Sequence, residues 1–241
     1  MINKSTLERV ISEDLSELWS TLSSDDKHLI IDNFTTHTFK KNQIIYAEKE
    51  MPEYLWCLLK GKIKLYKDGI GGRQQILRLI RPVQYFGYRA YFADEPYVST
   101  AAAFEPSTLG CLPMSLVQKL IQNNVKLAWF FIKELSRNLG GSDTKIVNLT
   151  QKHIRGRLAE ALIALRESYG YEDDDATLRI YMAREDLANL SNMTTSNAIR
   201  TLSCFVNEKI LIVDGRRIKI MNESAPVSYT HLRAHETLSD L

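Results

Sequence analysis

The 241-residue sequence predicts an α+β protein in three parts: an N-terminal jelly-roll-like β-roll, one long helix, and a C-terminal winged helix-turn-helix. Three observations carry the prediction. Short apolar runs separated by Gly-containing turns recur at roughly ten-residue spacing through the first half, the pattern of an all-β unit. A proline-free stretch from Lys126 to His153 repeats apolar residues in heptads. Between Met182 and Met221, two short helical patterns are separated by a break and followed by a hairpin signal. The corresponding boundaries are 1–124 for the roll with an N-terminal helix, 125–152 for the long helix, 153–223 for the winged domain and 224–241 for a tail.

An acidic helical stretch from Leu7 to Phe34 opens the chain. The roll begins with Thr38-Phe-Lys-Lys-Asn-Gln-Ile-Ile-Tyr46 and continues through Leu55–Leu59 and Lys62-Ile-Lys-Leu-Tyr66. Gly69-Ile-Gly-Gly72 turns the chain into Gln75–Ile80. Lys60, Lys62, Lys64 and Lys67 form a basic row whose first three members share a strand face, and a solvated outer face accounts for them.

In the long helix, Ile132, Leu139 and Ile146 occupy one heptad position, while Leu135 and Leu149 occupy the other, with Ser142 interrupting the second series. Two such helices in parallel bury a seam, so the stripe predicts a homodimer. The alternative is that the stripe packs only on its own roll. Gly140-Gly141 weaken the helix by about 1 kcal/mol each relative to alanine. A further helix over His153–Tyr169 presents Ile154, Leu158, Ala161, Leu162 and Leu165 on one face.

Leu187 and Leu190 make a short apolar stripe that Ser191-Asn192 break. Asn tolerates the left-handed backbone of a tight interhelix turn. Thr194 is placed to cap a second helix, which buries Ala198, Leu202 and Phe205. That leaves Thr195, Ser196, Ile199, Arg200 and Ser203 outward. Arg200 can donate two bonds to the O6/N7 edge of guanine, and Ile199 can cover a thymine methyl. Thr194, Thr195 and Asn197 sit where a helix N-terminus holds phosphate. Strands Leu211–Val213 and Arg217–Ile220, joined at Asp214-Gly215, form a wing on which Arg216, Arg217 and Lys219 add phosphate contacts. The expected partner is double-stranded DNA. A winged domain that instead binds a protein, in a ligand-sensing or scaffold protein, is the competing reading.

These residues resemble the Crp/Fnr family of bacterial transcription regulators. The Leu-Lys-Gly-Lys-Ile-Lys-Leu-Tyr segment is similar to the family's cyclic-nucleotide-binding β-roll. Ala183-Arg184-Glu185-Asp186-Leu187 and Arg200-Thr201-Leu202 match its helix-turn-helix. Ala183 departs from the family's Ser/Thr cap, and Ser196 from a frequent base-reading Glu. The resemblance implies a dimer on paired half-sites, in the cytoplasm, with RNA polymerase as a further partner. Family members that bind cyclic AMP use a Phe-Gly-Glu turn for the ribose and an Arg-Ser pair about nine residues later for the phosphate. Here the counterparts are Phe86-Gly87-Tyr88 and Tyr97-Val98. Both polar anchors are missing, so ordinary cyclic AMP is not the expected effector. Tyr85, Phe86, Tyr88, Tyr91, Phe92 and Tyr97 gather around Arg89, either to take an aromatic or apolar molecule of unknown identity or to fill the vacated space.

Composition sets further bounds. No apolar run spans a bilayer, and the first residues do not lead into a secretory core. The three cysteines are odd in number and scattered, against a disulfide framework. The family's oxygen sensors use clustered N-terminal cysteines, and none precedes Cys57. His28, His37 and His153 are scattered, which gives haem no support, and no cofactor or metal is expected. No phosphate loop, nucleophile elbow or metal motif of an enzyme appears. Residues 150–221 carry eleven Lys/Arg against ten Asp/Glu. DNA affinity therefore rests on placed cations rather than a polycationic surface. The tail from Ala225 to Leu241 lacks an amphipathic pattern and resembles a non-native extension. His231 and His235 stand one helical turn apart there without a third ligand.

Overall fold

The computed structural model describes residues 16–221, so the beginning of the expected N-terminal helix and the whole tail, with His231 and His235, lie outside the described residues. The chain divides into two compact units: Met1–Lys67 with Leu77–Leu139, and Asp68–Ile76 with Gly140–Leu241.

The first unit opens with helices α1 (Ser16–Trp19) and α2 (Ser24–Asn33). Ser23 caps α2 by accepting from the Asp26 amide at 3.1 Å, and Asp26 accepts back from the Ser23 N–H, a reciprocal capping box. The strands are β1 (Thr35–Phe39), β2 (Ile44–Tyr46), β3 (Tyr54–Lys60), β4 (Ile63–Asp68), β5 (Gln74–Ile80), β6 (Tyr85–Phe86), β7 (Thr100–Ala103) and β8 (Ser107–Pro113). They form two four-stranded sheets, ordered β1-β8-β3-β6 and β2-β7-β4-β5.

The stretch from Thr38 to Tyr46 that begins the roll is divided between two strands. The chain turns at Asn42, whose φ of 66° is left-handed, and β1 and β2 enter different sheets. Lys62 also departs from expectation. It is not on a freely solvated face but is mostly covered and bonded to both Glu105 oxygens at 2.9 and 3.0 Å.

Alternation along β3 explains why Leu55–Leu58 reads as an unbroken apolar run. Trp56 and Leu58 point into the roll with Ile63, Ile80, Leu109 and Cys111. Leu55 and Cys57 point to the other side, against Phe34, Met114, Leu127, Phe130 and Phe131. A strand buried on both faces loses the polar half of its pattern. Gly110 on β8 belongs to the same packing. A Cβ there would lie 1.8 Å from Cζ of Phe34, so only glycine lets that ring close on the sheet.

Helices α3 (Tyr88–Phe92) and α4 (Met114–Asn123) precede α5 (Val125–Gln151). At 27 residues α5 is about 40 Å long, and Gly140-Gly141 do not interrupt it. A Cβ built on either glycine meets nothing within 4 Å.

The second unit contains α6 (Ile154–Tyr169), α7 (Arg184–Leu190), α8 (Thr195–Asn207), β9 (Leu211–Asp214) and β10 (Arg217–Ile220). Leu158, Leu162, Leu187, Ala198, Leu202, Phe205 and Ile218 form its buried centre. The segment before α7 does more than connect. Leu178 donates to the Ile218 carbonyl and Ile220 to the Ala176 carbonyl, each at 2.9 Å, which joins it to the wing through an isolated antiparallel bridge between Thr177 and Lys219. None of the described helices is long and apolar enough to cross a membrane.

Candidate nucleic-acid interface

The site is built from the turn between α7 and α8. Ala183 stands at the α7 cap without a side-chain bond, whereas Thr194 caps α8 by accepting from the Asn197 amide at 3.2 Å. Ser191 and Met193 are buried on either side of Asn192, whose φ is 51°. The turn is thus pinned from inside, and Arg73 Nη2 donates to Asn192 Oδ1 at 2.8 Å on its outer side. The first turn of α8 carries no acidic residue, in contrast to Glu185 and Asp186 on α7. The partial positive charge of the α8 N-terminus is therefore left for an anion.

With Ala198, Thr201, Leu202 and Phe205 buried, α8 exposes Thr194, Thr195, Ser196, Ile199, Arg200 and Ser203 as a row, with Asn197 half-buried beside it. Ile199 keeps 48% of its surface in solvent, a large apolar residue among hydroxyls. The Arg200 Nη2 donates to Asn197 Oδ1 at 2.6 Å, and Ser203 turns back to the Ile199 carbonyl. Arg200 is paired with an amide rather than with a carboxylate, so its charge is not neutralised.

Arg216 and Arg217 are exposed on the wing. Lys219, placed beside them from sequence, is instead tied to Asp174 at 3.2 Å. That carboxylate accepts from the Ala176 and Thr177 amides and from the Thr177 hydroxyl, and these bonds, Thr177's foremost, hold its pKa well below the usual range. Sequence reading missed two residues at the same place. Arg184 Nη2 donates to the Gly215 carbonyl at 2.8 Å and ties the start of α7 to the wing tip. Tyr181 is exposed beneath Arg217. Arg184 lies inside the motif that marked the domain, whereas Tyr181 carries no local signal.

The scaffold behind the row is rigid where it counts. Arg155 on α6 reaches both Glu208 oxygens at 2.6 Å just beyond the end of α8, and its guanidinium lies 5.4 Å from the Phe205 ring. Both bonds come from the one nitrogen Nη2, a charge-assisted contact that ties α6 to the end of α8.

The residues expected to line an effector pocket are not brought together. Phe86 and Tyr97 face the roll interior, where Tyr97 stacks on Tyr46 with ring centroids 3.6 Å apart. Burial pushes the Tyr46 and Tyr97 phenols far above their ordinary value. Gly87 starts α3 with φ of 91°. Tyr88 turns the other way, onto Phe131 of α5 at 5.3 Å between ring centroids, and its hydroxyl accepts from Asn138 Nδ2 at 3.1 Å. Burial raises the Tyr88 pKa to about 12. Arg89, around which these rings were expected to gather, is exposed and bonded to Glu95 at 3.2 Å. Val98 is exposed.

The α5 stripe is also redistributed. Val125, Trp129, Ile132, Leu139 and Ile146 lie exposed along one face. Leu135, expected in that seam, is partly buried against its own core, and Leu149 is half-buried.

Residues 36–124 match the family model of the cyclic nucleotide-binding domain, and residues 156–225 match that of the Crp-like helix-turn-helix domain. The chain is 26% identical over 207 residues to the anaerobic regulatory protein of Bacillus subtilis, covering 85% of this chain and 82% of that one. It is 21% identical over 184 residues to the CRP-like cAMP-activated global transcriptional regulator of Mycobacterium tuberculosis, covering 76% and 82%. Among solved structures, FixK2 from Bradyrhizobium japonicum shares the fold with a TM-score of 0.76 at 22% identity, over 83% of this chain and 99% of that one. A CRP/FNR-family transcriptional regulator from Thermus thermophilus gives 0.66 at 22% identity, over 83% and 100%.

Proposed function

The chain belongs to the Crp/Fnr family of DNA-binding transcriptional regulators, and on that premise we propose that it works as a cytoplasmic homodimer on an inverted-repeat operator. The observation that carries this reading is the α8 surface, where Ile199 and Arg200 stand exposed in a row of hydroxyls headed by an acid-free helix N-terminus. In this reading α8 enters the major groove. Arg200 and Ile199 meet base edges, while Thr194, Thr195, Ser196, Asn197 and Ser203 lie along the groove wall, and Arg216 and Arg217 hold the flanking backbone. The exposed α5 face from Val125 to Ile146 supports pairing of two chains, which sets the half-site spacing.

The signal that controls binding is read at the roll and is not ordinary cyclic AMP. The stacked Tyr46 and Tyr97 fill the roll interior, and position 97, where the family's cyclic AMP binders carry a phosphate-gripping Arg, lacks a cation. RNA polymerase is the partner through which a bound dimer acts on transcription.

Genome-wide binding by the intact protein tests the reading, with Arg200→Ala alongside. Sharp sites sharing an inverted repeat, lost in the variant, are expected. Diffuse binding by both proteins, with the fold intact, would return the winged domain to a protein partner.

A further inference from the structure

Tyr181 has no place in the reading above, yet it is exposed in the extended segment just before α7 and engaged on both sides. Its hydroxyl donates to Glu172 Oε1 at 3.0 Å. The Arg217 guanidinium lies over its ring, 5.6 Å from the centroid. Glu172 in turn lies 3.9 Å from Arg179 Nε. Arg217, Tyr181 and Glu172 thus stand in series: the guanidinium on the ring face, the phenol proton on the carboxylate. The bond to Glu172 raises the Tyr181 pKa, so the phenol stays the donor.

An exposed arginine loses much rotamer freedom when it clamps a phosphate, and that loss weakens the contact. A ring beneath the guanidinium, itself held by the bond of its hydroxyl to Glu172, removes part of the loss beforehand. The carboxylate is held on the phenol rather than set directly against Arg217, so the arginine is oriented without being neutralised.

We propose that Tyr181, anchored by Glu172, is a positioning residue that aims the wing arginine Arg217 at the DNA backbone. This rests on the DNA-binding reading given above. It assigns Glu172 a role distinct from the rest of the acidic run, since Asp174 shapes its own turn and holds Lys219.

The test is operator binding by the full-length protein across a salt series, for wild type, Arg217→Ala, Tyr181→Leu, Tyr181→Phe and the double variant Arg217→Ala/Tyr181→Leu. Arg217→Ala should lower the slope of log K against log salt by about 0.9, the mark of one lost phosphate contact. Tyr181→Leu should weaken binding about two- to fivefold, the worth of an exposed cation–π pair, and flatten the slope in the same direction. It should add nothing once Arg217 is gone. Tyr181→Phe, which keeps the ring, should recover most of the loss. Melting temperatures within a degree or two of wild type keep a folding defect out of the comparison. A wild-type slope in Tyr181→Leu, or a loss that persists undiminished without Arg217, would overturn the assignment while leaving DNA binding in place. Absence of operator binding by wild type, with Arg200→Ala indistinguishable from it, would remove both readings together.

Discussion

Asn197 and Arg200 face each other across one turn of α8, with the guanidinium donating to the amide oxygen at 2.6 Å. The bond orients the arginine before any ligand arrives, yet it leaves its charge uncompensated and most of its donors free. A lysine in the same place keeps the charge but not the planar fork.

Arg200→Lys should therefore separate affinity from specificity. Binding to unrelated duplex should change little, because the charge survives. Discrimination at the contacted base pair should fall by about 1–3 kcal/mol, the worth of a bidentate contact. Competition titrations with operator and single-site variants, run at one fixed salt concentration, read both quantities. Equal losses on specific and unrelated DNA would assign Arg200 to the backbone instead.

The exposed α5 face predicts a division between association and folding. Ile132→Asp or Leu139→Asp should yield a folded monomer by sedimentation with operator binding largely lost, since each places like charges on a surface that is solvated in the single chain. Leu135→Asp should act differently, lowering the melting temperature, because Leu135 packs against Phe131 and its neighbours in the core. A monomer from Leu135→Asp with unchanged melting would reverse this division.

The tyrosine pair inside the roll predicts the cost of reopening it. Tyr97→Ala should destabilise the protein by about 3 kcal/mol, as other large-to-small core changes do, measured as a shift in urea midpoint. Added cyclic AMP should leave both the wild-type midpoint and its operator affinity unchanged. A midpoint that rises with cyclic AMP would show that the rings give way to it.

Alkaline pH supplies a separate measure of the same burial. Tyr46, Tyr88 and Tyr97 are kept neutral in the folded chain and ionise more readily once unfolded. The stability this represents is complete below about pH 10, the ordinary phenol value, and is lost as pH rises above it, through about 12 for Tyr88. Unfolding midpoints should fall across that window, and Tyr88→Phe should shrink the fall. A pH-independent midpoint over the range would contradict the burial of these phenols.

How far the sequence foretold this arrangement depended on whether a signal was local. The helix-turn-helix was legible because each part is dictated nearby: Asn192 for the turn, Thr194 for the cap and Asp214-Gly215 for the hairpin. The roll was legible as a class but not in its strands. One apolar run from Thr38 to Tyr46 proved to serve two sheets, and the small side chains of Ala101, Ala102 and Ala103 on β7 gave no strand pattern at all. The pocket residues were chosen by position along the chain. Tyr88 and Tyr97 nevertheless face different cores, because α3 begins between Gly87 and Tyr88 and turns Tyr88 toward α5. Leu135, read as a seam residue, packs partly against its own core: a helix with apolar residues on two faces has two possible stripes, and only tertiary contacts choose between them. Tyr181 left no trace, since its partners Glu172 and Arg217 lie in other segments.

The glycine pair in α5 has a consequence for the timescale on which that helix responds. Neither Gly140 nor Gly141 touches a neighbour that would compensate for its greater backbone freedom. The turn they occupy is held chiefly by its own hydrogen bonds, so it opens at lower free energy than the flanking turns packed by Phe131 on one side and Leu149 on the other. Amide protons just past the glycines should accordingly exchange with solvent well before those of either neighbouring segment, so the longest helix of the chain is two exchange-protected segments joined by a readily opened turn.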